Sequence, residues 1–96
     1  MIVSFGDSAT EDLYHGVNSA KARGFPADLA KAARRKLGTL NAAISLEVLA
    51  VIPGNRLERL KGSLAGRHSI RVNDQWRIVF RWSDGAHEVR LTDYHD

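Results

Sequence analysis

The chain has 96 residues, of which 44% are hydrophobic and 26% charged, with no cysteine and a formal net charge of +3. A chain of this length has material for one core, burying about 60–65% of the surface its unfolded form exposes, so the expected organisation is a single domain over residues 1–96. The lack of cysteine excludes a disulfide framework, a thiolate nucleophile and thiolate metal sites; no stretch has the length and apolarity of a membrane span or a secretory leader, so a cytoplasmic protein with no membrane association is expected.

Ile2-Val3-Ser4-Phe5 is a short run of strand formers closed by Gly6-Asp7, and it reads as a first strand. Ser8-Ala9-Thr10-Glu11 has the capping-box pattern, in which a serine hydroxyl and a glutamate side chain satisfy each other's free backbone N–H groups. Leu13 and Val17, four residues apart, give the helix that follows one apolar side, and Gly16 or Asn18 ends it. Phe25-Pro26 opens a second helix, with proline in the first turn where its missing N–H costs nothing. Leu29, Ala33, Leu37, Leu40 and Ile44 then form one apolar stripe, and Lys31, Arg34, Arg35 and Lys36 lie off it as a solvated face. Leu46 to Ile52 reads equally as a short helical turn or an extended link, and Pro53-Gly54-Asn55 stops it in a turn.

From Leu57 to Trp82 the pattern changes to strand, turn, strand, turn, strand. Ile70 and Val72, then Trp76, Ile78, Phe80 and Trp82, fall on alternate residues, the period of a sheet that buries one face. Arg71, Arg77 and Arg81 alternate with them and are expected on the outward face. Asn73-Asp74 is turn chemistry, Ser83-Asp84-Gly85 makes a hairpin, and His87 to Tyr94 returns as a last strand with Val89 and Leu91 inward. The order predicts an α+β fold, an N-terminal strand and two helices packed on one face of an antiparallel sheet.

Charge is unevenly placed on this chain. Between Arg56 and Arg81 seven arginines and lysines face two acids, Glu58 and Asp74. Such a face suits a polyanion, most commonly RNA or DNA phosphates, and suits an acidic protein partner equally well. Arg67, His68, Arg71 and Arg81 are the candidate nucleic-acid contacts, with His68 read also as an aromatic-like residue at a strand edge. His15 and His87 read as surface residues. His95 follows Asp93-Tyr94 at the chain end, and an imidazole of pKa about 6.5 exchanges protons at neutral pH beside a carboxylate that orients it; a polar tail has the same composition. No metal-ligand spacing and no phosphate-cradling glycine loop emerges, so neither metal nor cofactor is expected.

Three segments together carry a resemblance: Pro53 to Gly62 with its Leu60-Lys61-Gly62, His68 to Ile78 with its Trp76-Arg77, and the terminal Asp93-Tyr94-His95. They resemble the HigB toxins of the RelE/ParE superfamily of toxin–antitoxin systems, over essentially the whole chain. The resemblance implies a RelE-like fold and a ribosome-dependent mRNA endonuclease that attacks the phosphodiester with the 2′-hydroxyl. It also implies a HigA-type antitoxin with a helix-turn-helix domain, and operator DNA bound only through the antitoxin complex. Carried over by position, Asp93, Tyr94 and His95 supply the catalytic carboxylate, aromatic ring and imidazole, while Lys61 and Arg77 contact the scissile phosphate. Where some relatives have His-Pro before Leu-Lys-Gly, this chain has Glu58-Arg59, which makes Glu58 the expected stand-in for that histidine, as base or as the group that orients it. Two other readings share the fold: a ParE-like gyrase inhibitor and a non-catalytic regulatory binding module.

Overall fold

The structure is a computed structural model that describes residues 1–93. Its elements are α1 (Ser8–His15), α2 (Ala20–Arg23), α3 (Ala27–Ala42), α4 (Leu46–Val51), β1 (Glu58–Arg59), β2 (Arg67–Arg71), β3 (Trp76–Trp82) and β4 (Ala86–Asp93), with a 3-10 turn at Gly62–Leu64 between the first two strands. The sheet runs β1-β2-β3-β4 with every pairing antiparallel. Leu13 of α1, Leu29, Leu37 and Leu40 of α3, and Leu49 of α4 pack with Ile70, Ile78, Phe80, Val89 and Leu91 of the sheet in one apolar cluster. Burying side chains of this size contributes roughly 1.5–3 kcal/mol each, so the predicted stripe and the predicted alternation together make the core. Among the described residues no helix is long and apolar enough to cross a membrane.

Helix ends depart from the sequence reading for local reasons. Asp7 caps α1 in place of Ser8: its extended backbone lets its carboxylate accept from the Thr10 N–H at 2.8 Å. Gly16 closes that helix in a left-handed conformation, φ 73°, with the Val17 N–H donating back to the Asp12 carbonyl at 2.9 Å. Val17 therefore lies past the helix, and it is 51% exposed instead of buried. Ile44 likewise lies past the end of α3 and is 88% exposed, because the helical period stops at Ala42. The short helix α2 has no apolar stripe to announce it; Ser19 caps it by accepting from the Ala22 N–H. Leu46–Val51 resolves as helix, capped by Ser45 and anchored by the buried Leu49.

The N-terminal segment lies parallel to β4, touching it through two isolated bridges, Ile2 to Ala86 and Phe5 to Val89. A continuous strand is interrupted there because β4 bulges: its register against β3 shifts between Val79 and Arg81, and Glu88 takes φ 53°. The Ser4 hydroxyl accepts from the Glu88 N–H at 2.9 Å, which satisfies the backbone group the bulge frees.

Candidate active site on the open face of the sheet

Residues paired across strands share a face, so the register fixes what gathers on the side away from the helices. Glu58 stands opposite Ser69, Ser69 opposite Val79, Arg71 opposite Arg77, and Arg67 opposite Arg81. Directly opposed arginines repel, and an acid offsets each pair. Asp74 pairs with Arg71, and Glu58 Oε1 lies 3.1 Å from Arg77 Nη2. Glu88 bridges the other pair, 3.3 Å from Arg67 and 3.0 Å from Arg81. Its carboxyl is held below the usual carboxylate range, first by the hydrogen bond from Arg81 and next by the charge of Arg67. The basic surface that the sequence suggests between Arg56 and Arg81 is thus partly neutralised by an acid from β4.

Arg77 is the most enclosed of these cations. Its side chain is 17% exposed, donates to the fully buried Ser69 hydroxyl at 3.4 Å and is ion-paired with Glu58, whose side chain is 45% exposed. A guanidinium held from two sides presents its fork in one orientation. Three residues before Glu58, the fully buried Asn55 ties three elements together ahead of β1. The Asn55 amide donates to the Leu49 carbonyl at 3.2 Å, its side-chain oxygen accepts from the Lys36 ammonium, and its backbone carbonyl accepts from the Arg71 N–H at 2.7 Å. Lys36 belongs only partly to the solvated face expected of it; burial, then Arg35 and Arg71, holds its pKa below the ordinary lysine value.

The remaining expected site residues divide. Asp93 ends β4 exposed; its register partner is Trp76, so it takes the helix-facing side, one residue beyond Thr92, the open-face partner of Arg77, and the Gln75 amide donates to its carboxylate at 2.9 Å. Lys61 is exposed at the start of the 3-10 turn, three residues along the chain from Glu58 and past the Leu60–Arg67 backbone bond, toward the Arg67 end of the sheet. Glu58 turns to Arg77, and among the described residues Lys61 has no ion pair. His68 lies on the helix-facing side, opposite Phe80 in register and stacked on its ring at 6.0 Å between centroids. Burial, then the charge of Arg59, holds its pKa below the ordinary imidazole value. It takes the face away from Arg67, Arg71 and Arg81. Tyr94 and His95 lie outside the described residues.

Sequence reasoning missed Glu88, Ser69 and Gln75. The Ser83-Asp84-Gly85 hairpin signals that the start of β4 returns beside Arg81, but the bulge that aims Glu88 there leaves no mark in the periodicity. Ser69 and Gln75 carry no charge or motif and become visible only through the register. Among the described residues no three His, Asp or Glu side chains group as metal ligands.

Residues 3–95 match the family of HigB-like toxins, described as the RelE-like toxin of the type II toxin–antitoxin system HigB. Over 96 residues, all of this chain and 96% of the relative, the sequence is 41% identical to Toxin HigB-1 of Vibrio cholerae serotype O1. Among solved structures it is similar to the YoeB-YefM complex from Staphylococcus aureus, with a TM-score of 0.59 and 22% identity over 100% of this chain and 97% of that one. At that identity the likeness shows the fold, which is RelE-like.

Proposed function

This chain belongs to the HigB-like family of RelE-like toxins of type II toxin–antitoxin systems, and from that premise we propose that it is an endoribonuclease that cuts mRNA on translating ribosomes and is neutralised by a HigA-type helix-turn-helix antitoxin. Operator DNA is reached only through the complex with that antitoxin. The observation that carries the reading is the enclosed Arg77 with Glu58 at 3.1 Å on an open sheet face.

Cleavage by 2′-hydroxyl attack needs a base, a cation for the charge that develops on the phosphorus oxygens, and an acid for the leaving oxygen. Arg77 offers two N–H groups in a plane to the non-bridging oxygens. A phosphate that takes this fork leaves the Glu58 carboxylate to accept the 2′-hydroxyl proton. The bond from the 2′-oxygen to phosphorus forms, the bond to the 5′-oxygen breaks, and the products are a 2′,3′-cyclic phosphate and a 5′-hydroxyl. His95 donates the proton to the departing 5′-oxygen, Asp93 orients the tail, and Tyr94 stacks on a splayed nucleotide; these roles rest on the family resemblance. Lys61 adds a mobile point charge near the strand, and Arg67, Arg71 and Arg81 track the flanking backbone, with His68 supporting the strand from beneath. A small face of this kind has few means to order a flexible single strand, so the ribosome supplies the positioning. Primer extension on a translated message is expected to show breaks within codons. Equal cutting of the same RNA without ribosomes contradicts the ribosome requirement.

The Glu88 bridge sets a measurable limit on RNA affinity. With Glu88→Gln, Arg67 and Arg81 lose the carboxylate that offsets their charges, so binding of a labelled single-stranded RNA should tighten at low salt. The slope of log K against log salt should steepen by about 0.7 for each additional phosphate that the two arginines neutralise. A fluorescence-anisotropy salt titration reads this, and an unchanged slope would place those arginines outside the RNA path.

A further inference from the structure

We propose that Gln75 is a positioning residue for the cleavage reaction, holding Asp93 and with it the root of the catalytic tail; the inference rests on the nuclease reading above. The turn between β2 and β3 is held on both sides of Gln75. The Asn73 carboxamide oxygen accepts from the N–H groups of Gln75 at 2.9 Å and Trp76 at 2.8 Å, and Asp74 is pinned by its ion pair with Arg71. Trp76 is anchored in turn, edge-on to Phe25 with ring centroids 5.8 Å apart, and stands directly opposite Asp93 in the ladder. Gln75 is the residue just before Trp76, so a turn fixed at both ends aims its amide at the last described residue of β4, where it donates to Asp93 Oδ2 at 2.9 Å.

Two features separate this contact from ordinary surface polarity. It joins positions 18 apart in sequence, one of them in a turn that no apolar packing needs to be glutamine. It also lies at the end of the sheet where Arg77 pairs with Thr92; Asp93, opposite Trp76, takes the other face, so the contact fixes the end of β4 next to the phosphate-binding fork without setting the Asp93 carboxylate beside it. Exposed hydrogen bonds contribute little to folding. Their loss next to reacting groups, by contrast, misplaces those groups, and displacements of about 1 Å cost up to 10²-fold in rate.

The test uses the full chain with ribosomes programmed with a message that the wild type cuts. Gln75→Ala is expected to lower kcat between about tenfold and a hundredfold, with KM for the programmed ribosome and the melting temperature essentially unchanged. Amide hydrogen exchange at Asp93 should quicken in the same variant. Gln75→Lys, which keeps a donor facing the carboxylate, should restore most of the rate, whereas Gln75→Glu should not. An unchanged kcat for Gln75→Ala beside an active wild type overturns the positioning role alone, as does a lowered melting temperature with no rescue by lysine. A wild type that leaves the message intact on translating ribosomes overturns the nuclease reading itself, and the role of Gln75 falls with it.

Discussion

Replacing Arg77 by alanine should leave a folded, soluble protein that cuts its message about 10²–10³-fold more slowly, the loss typical of one charged transition-state contact. Arg77 alternates with the fully buried Ile78 and lies on the face away from the helices, so its removal opens no cavity in the core. The ion pair it gives up has a partner 45% exposed, and pairs of that kind contribute about 0–1 kcal/mol. The buried Ser69 hydroxyl also loses its 3.4 Å hydrogen bond. A single-turnover assay on programmed ribosomes, alongside thermal unfolding, separates the two quantities. Arg77→Lys should recover little, because an ammonium keeps the charge but not the two-pronged geometry. A variant that unfolds, or one that stays fully toxic at equal protein level, would place the phosphate site elsewhere.

Glu58→Gln should slow the same step by about 10²–10⁴-fold if the carboxylate takes the 2′-hydroxyl proton. The geometry also provides the test of the plainer role, in which Glu58 does nothing beyond holding Arg77. Under that role the substitution has no effect once Arg77 is already alanine, since the partner it acts through is gone. As the base, Glu58 retains a large effect in both backgrounds. An unchanged rate for Glu58→Gln in the otherwise native protein removes it from the chemistry altogether.

Much of this arrangement is legible in the sequence. The alternation of Trp76, Ile78 and Phe80 against Arg77 and Arg81 separated the two faces of β3, and the stripe from Leu29 to Leu40 found the helix that covers one of them. The limits were physical. Val17 and Ile44 were counted into apolar stripes because periodicity does not say where a helix stops; capping geometry does, and Gly16 and the end of α3 leave both side chains in solvent. The charge balance of the open face was overestimated because it was counted along the chain, while Glu88 enters from another strand at a bulge that periodicity does not reveal. His68 was grouped with the arginines beside it, although one step along a strand moves a side chain to the other face. Glu58 is expected in the sequence only by its place before Leu60-Lys61-Gly62, and the register sets it against Arg77. The catalytic roles of Asp93, Tyr94 and His95 come from the resemblance; of the three, only Asp93 lies among the described residues.

The most direct measurement of the central claim is cleavage of a message carrying a single 2′-deoxynucleotide immediately 5′ of the mapped break, compared with the all-ribose message on the same translating ribosomes. Attack by the 2′-hydroxyl at a site built on Arg77 predicts that the all-ribose message is cut to a 2′,3′-cyclic phosphate and a 5′-hydroxyl end, and that the deoxy-substituted message survives at that bond. Cutting of both messages at equal rates, or an all-ribose message left intact by the wild-type protein, would contradict it.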